Sequence, residues 1–109
     1  MDERDRNLIL ELKNRLPADV MVHIRKVVAF GSRVRGQGEE DSDLDLLILV
    51  DQKTSELEAK IEDIAYQVMW DHDFKPIILI KVSTEAGYRN SLREGFSFYK
   101  NIEREGVPL

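Results

Sequence analysis

Two stretches, Phe30-Gly31-Ser32-Arg33-Val34-Arg35-Gly36 and Asp41-Ser42-Asp43-Leu44-Asp45-Leu46, decide how the rest of this chain is read. The first closes the apolar run Val27-Val28-Ala29-Phe30 with a Gly-Ser pair, and the second opens the run Leu46-Leu47-Ile48-Leu49-Val50. Short apolar runs bounded by glycine and polar residues predict strands. The second run shows no alternation, so it is expected at the centre of a sheet, buried on both faces. Residues two apart on a strand share a face, which places Asp43 and Asp45 side by side. Like charges so placed repel unless a cation lies between them. Two carboxylate groups suit Mg²⁺, a hard cation that completes its shell with phosphate oxygens and water. Gly31 lets the chain turn and an anion approach the backbone. Ser32 adds a hydroxyl and an N–H where the chain is expected to open a helix, whose N-terminus favours negative charge. The pattern therefore reads as a cation site beside a phosphate site.

Outward from the motif, Asn7 to Leu16 carries apolar residues at 8, 9, 12 and 16, a helical stripe closed by Pro17. Val20 to Ile24 reads equally as a helical turn or as strand. The segment from Thr54 to Val68 predicts a second long helix, with Leu57, Ile61, Ile64, Ala65 and Val68 on one face and Ser55 and Glu58 at capping-box spacing. Pro76 to Val82 reads as a third strand, with proline at its first position. A short helix is expected after Ser83-Thr84 and another over Phe98 to Glu105, ended by Gly106 in a left-handed turn. The fold class expected is α/β (α+β): one small mixed sheet with helices packed on it, as a single domain over 1–109.

Composition narrows the alternatives. The chain has 109 residues, 42% of them hydrophobic and 34% charged, which suits a small globular protein rather than a disordered one. Its apolar runs fall far short of a bilayer span, and the acidic start Met1-Asp2-Glu3-Arg4-Asp5 is unlike a signal peptide. No membrane association and a cytoplasmic location are expected. There is no cysteine, hence no thiolate metal site. A net charge of −5 argues against generic nucleic-acid binding, although Arg25, Lys26, Arg33 and Arg35 cluster near the Gly-Ser turn.

Several other readings fail on named residues. An EF-hand loop beginning at Asp41 would need glycine and glutamate where Leu46 and Gln52 stand. No Gly-Lys-Ser/Thr follows the glycine-rich stretch from Gly31 to Gly38, so it is not a Walker loop. The dinucleotide fingerprint lacks its glycines, and neither His23 nor His72 forms a triad pattern with Ser32. What survives is Gly31-Ser32, then residues 33–42, then Asp43-Leu44-Asp45.

This spelling and spacing resemble the minimal (MNT) members of the nucleotidyltransferase superfamily related to DNA polymerase beta, over the whole chain. The resemblance implies Mg²⁺-dependent transfer of a nucleoside monophosphate, AMP from ATP, to a hydroxyl of a partner protein or small molecule. It assigns the metal to Asp43 and Asp45 and the triphosphate to Gly31, Ser32 and Arg33, with Arg35 as the alternative arginine. It also implies a third acid from the neighbouring strand. Asp73, at the entrance of that strand, is the candidate by position, with Asp71 behind it. Members of this kind pair with helical HEPN-type proteins in toxin–antitoxin modules, which makes the antitoxin role an expectation here. The other expectation is a nucleotide- and partner-binding module of the same fold with little turnover.

Overall fold

Val27, Val28, Leu44 and the run Leu46 to Val50 are buried, and burying large apolar side chains of this kind is worth about 1.5–3 kcal/mol each. The sheet they centre is seen in a computed structural model that describes residues 1–36 and 41–109. Gly38 of the glycine-rich stretch lies outside the described residues. The element order is α1 (Glu3–Arg15), α2 (Ala18–Met21), β1 (Ile24–Phe30), β2 (Leu44–Val50), α3 (Ser55–Asp71), β3 (Ile78–Thr84), α4 (Glu85–Arg93), α5 (Ser97–Glu105) and β4 (Val107–Pro108).

The sheet order is β3-β2-β1-β4. β1 runs antiparallel to β2 and β4, and β2 runs parallel to β3, so the sheet is mixed as expected. Period-two alternation sorts its side chains into two cores. On one face Val27, Ala29, Leu46, Ile48 and Val82 pack against Ile9 and Leu12 of α1 and Ile61 and Val68 of α3. On the other, Val28, Leu47 and Leu49 pack against Tyr88 of α4 and Ile102 of α5. Asp43 and Asp45 fall in step with Leu47 and Leu49, so they belong to the face that α4 and α5 only partly cover.

Local departures from the sequence expectation have local causes. Thr54, not Ser55, caps α3, its side-chain oxygen accepting the Leu57 N–H at 3.0 Å. Gly106 is extended (φ −67°, ψ 149°) because its N–H bonds to the Ile102 carbonyl while the chain passes straight into β4. Glycine is still required there: an added Cβ would meet that carbonyl and Val28 Cγ1. Ser32 to Gly36 forms hydrogen-bonded turns, with the Val34 and Arg35 N–H groups on the Gly31 carbonyl, rather than the start of a helix. Among the described residues, no helix is long and apolar enough to cross a membrane.

Candidate active site

The carboxylate pair stands where β2 begins. Leu44 donates its N–H to the Ile77 carbonyl at 2.8 Å, which anchors the strand start between Asp43 and Asp45. In register, Asp45 lies between Phe30 of β1 and Leu79 of β3. Both carboxylate side chains are half-buried. Burial, then the neighbouring Asp43 charge, raise the Asp45 carboxyl above the ordinary carboxylate range, and Arg35 opposes the shift. A divalent cation would reverse that shift, since it supplies the missing counter-charge. Two hard oxygen donors on one face fit Mg²⁺.

Gly31 brings the phosphate turn against this pair. Its φ of +87° is one that side chains rarely adopt, and a Cβ built there would overlap Asp45 Oδ2 and lie 3.3 Å from Asp45 Cγ. Glycine is thus required twice, by conformation and by space. Ser32, half-buried, opens the turn that follows.

The two arginines of the turn are employed differently. Arg33 is nearly buried in a bidentate pair with Asp5 of α1, Nε to Oδ2 and Nη2 to Oδ1 both 3.0 Å, with side-chain exposures of 12% and 5%. Its Nη1 donates to the Ser42 carbonyl at 2.8 Å, one residue before Asp43. Arg33 therefore ties the phosphate turn, the carboxylate strand and α1 together. Asp5 escaped notice in the sequence, but a signal exists. It sits three, four and seven residues before Leu8, Ile9 and Leu12, an acid on a buried helical stripe, and such an acid needs a partner. Arg35 is the exposed one, 3.5 Å from Glu105. It lines a cavity of about 210 Å³ with Gly31, Phe30, Phe98 and Asn101.

The structure does not bring Asp73 to the pair. It lies in the exposed turn after α3, at φ +58°, its N–H on the Trp70 carbonyl at 3.2 Å. Asp71 pairs with Arg15 at 2.7 Å. The β3 position in register with Asp45 is Leu79. Among the described residues, no group of three His, Asp or Glu side chains is arranged to hold a metal ion. His72 instead meets Glu11 at 3.0 Å and His23 meets Asp51 at 2.9 Å.

Comparison with known proteins identifies the family. The family model described as the nucleotidyltransferase domain matches residues 6–107. A protein of Methanocaldococcus jannaschii, named provisionally as a protein adenylyltransferase, is 32% identical over 105 residues, covering 94% of this chain and 95% of that protein. Among solved structures, a chain in a toxin–antitoxin complex crystallised with AMP-PNP is similar, with a TM-score of 0.55 at 16% identity over 94% of this chain and 69% of that one. This last likeness is one of fold. The chain belongs to the nucleotidyltransferase family, in its minimal form, and is a nucleotidyltransferase enzyme.

Proposed function

We propose that this protein transfers AMP from ATP to a hydroxyl group of a partner protein, with residues 1–109 acting as one catalytic domain. The observation that carries the reading is the closure of the Gly31 turn onto Asp45, which puts a phosphate-binding backbone against a carboxylate pair. Asp43 and Asp45 would hold Mg²⁺. When bound, it neutralises charge on the reacting phosphates. Gly31 and Ser32 present the turn to the triphosphate, Arg33 holds the turn's shape through Asp5, and Arg35 supplies the cation that faces the ligand. The acceptor oxygen attacks the α-phosphorus, the bond to the β-phosphate oxygen breaks, pyrophosphate leaves, and the hydroxyl proton passes to water. Asp73 stands outside the reacting centre in this reading.

Support for AMP and for a protein acceptor comes from the provisional name of the 32% identical relative. The toxin–antitoxin setting of the structural neighbour favours a second protein as partner; the HEPN-type helical partner, the antitoxin role and the cytoplasmic location are carried by the family resemblance of the Gly31-Ser32 and Asp43-Leu44-Asp45 motif. The test is incubation with ATP labelled at the α-phosphate, Mg²⁺ and a panel of tyrosine-, serine- and threonine-containing acceptor proteins. Covalent α-label, lost in Asp43→Asn and Asp45→Asn, is the expected result. Label transfer that survives both substitutions would contradict the site assignment.

A further inference from the structure

β3 runs parallel to β2 in register, Asp45 beside Leu79 and Leu47 beside Lys81. By strand alternation the row of β3 that faces the carboxylate side is Ile77, Leu79, Lys81 and Ser83. No acid occurs in that row, and its one charge is positive. From strand spacing and rise, Lys81 and Asp45 begin on the order of 8 Å apart, within reach of a four-carbon stem. The Lys81 ammonium lies 5.9 Å from the centre of the Phe98 ring. Phe98 packs edge-on against Phe30, Asp45's neighbour on β1, at 5.7 Å, and lines the cavity that contains Gly31. The lysine thus stands on the same sheet face as the carboxylates, with its head beside Phe98 at the rim of the Gly31 cavity.

We infer that Lys81 contacts the α-phosphoryl group that is transferred, so that β3 contributes a cation to the reaction where an acid was expected. The inference rests on the nucleotidyl-transfer reading above. Its physical basis is charge balance. Two carboxylates cancel one divalent cation, which leaves the triphosphate's negative charge to side chains of the protein. Arg33 is committed to Asp5, and Arg35 stands on the β1 flank beside the Gly31 turn. A polyphosphate held at Gly31-Ser32 presents its α-phosphorus over the carboxylate pair, with β3 on the far side. Lys81 is the charged group of that flank. A lysine on an open edge strand also discourages strand pairing between molecules, and that role alone would leave nucleotide affinity unchanged.

The distinction is measurable by calorimetry with two probes, Mn²⁺ with α,β-methylene-ATP and Mn²⁺ with pyrophosphate. Lys81→Gln is expected to weaken the ATP analogue by about tenfold or more, as loss of a charge-assisted hydrogen bond does, and to leave pyrophosphate within about twofold. Lys81→Arg should recover most of the loss. Unchanged affinity for the analogue in Lys81→Gln, or an equal loss for both probes, would overturn the assignment. Absence of analogue binding by the unaltered protein would overturn the nucleotide reading, and this one with it. The side chain is exposed, so the circular dichroism spectrum of each variant is expected to match that of the unaltered protein.

Discussion

The two flanks of β2 are built to different standards. On the β1 side, Gly31 fits against Asp45 with no room for a methyl group, and hydrogen bonds of 2.8–3.0 Å hold Arg33 to Asp5 and Ser42. On the β3 side, Leu79 and Lys81 stand on an open edge, and Leu79 is 49% exposed. Under the proposed function the tight flank would hold the nucleotide's phosphates, which must be placed the same way in every turnover. The open flank leaves room for the acceptor that the proposed function requires. The difference teaches that the strand carrying a carboxylate pair can be held rigidly by an interior neighbour on one flank and stay accessible at the sheet edge on the other.

Substitutions that break the β1 flank should have the largest effects. Arg33→Ala leaves Asp5 buried without its partner and is expected to cost about 3–5 kcal/mol in chemical denaturation. The double variant Asp5→Leu, Arg33→Met should recover much of that stability, while its nucleotide affinity stays low because the tie to Ser42 is gone. Next comes Gly31→Ala, which forces a side chain into a left-handed backbone and against Asp45. Its expected cost is about 2 kcal/mol in stability, with loss of detectable nucleotide binding by calorimetry. Arg35→Gln sharpens the comparison from within one turn. Its ion pair with Glu105 is exposed, so stability should shift by less than about 1 kcal/mol, while ATP affinity falls about tenfold.

A smaller effect follows from Asp45. Its carboxyl is raised by burial first and by Asp43 second, so the folded protein holds this proton more tightly than the unfolded chain does. The stability from that proton is fully present below the ordinary carboxylate range and is lost as pH rises through the raised value. Without divalent cation, Asp45→Asn should therefore raise the melting temperature at neutral pH, and the gain should vanish on acidification below the ordinary range. Mn²⁺ affinity should fall as pH drops through the same interval. The smallest effect belongs to Asp73→Asn on the exposed turn after α3, expected to leave nucleotide affinity within about twofold.

What was legible in the sequence was what short-range periodicity controls. The burial of 44–50, the shared face of Asp43 and Asp45, and the apolar stripe of α3 all follow from periods of 2.0 and 3.6. What was not legible depended on residues far apart in the chain. Arg33 looked like a phosphate ligand because its partner, Asp5, lies 28 positions upstream on another element. Asp73 looked like a third acid because the register of β3 was unknown. The turn after α3 takes up residues 72–77, and the pairing then sets Leu79 beside Asp45. The two-residue β4 escaped notice because it exists only through its bonds to β1.

The central claim, that the Gly31 turn and the carboxylate pair perform nucleotidyl transfer, is tested most directly by following two labels in parallel reactions. The unaltered protein is given Mg²⁺ and acceptor proteins with ATP labelled either at the α- or at the γ-phosphate. The expected products are covalent α-label, an equal amount of pyrophosphate and no covalent γ-label, with all transfer lost in Asp45→Asn. Covalent γ-label, or α-label undiminished in Asp45→Asn, would contradict the claim.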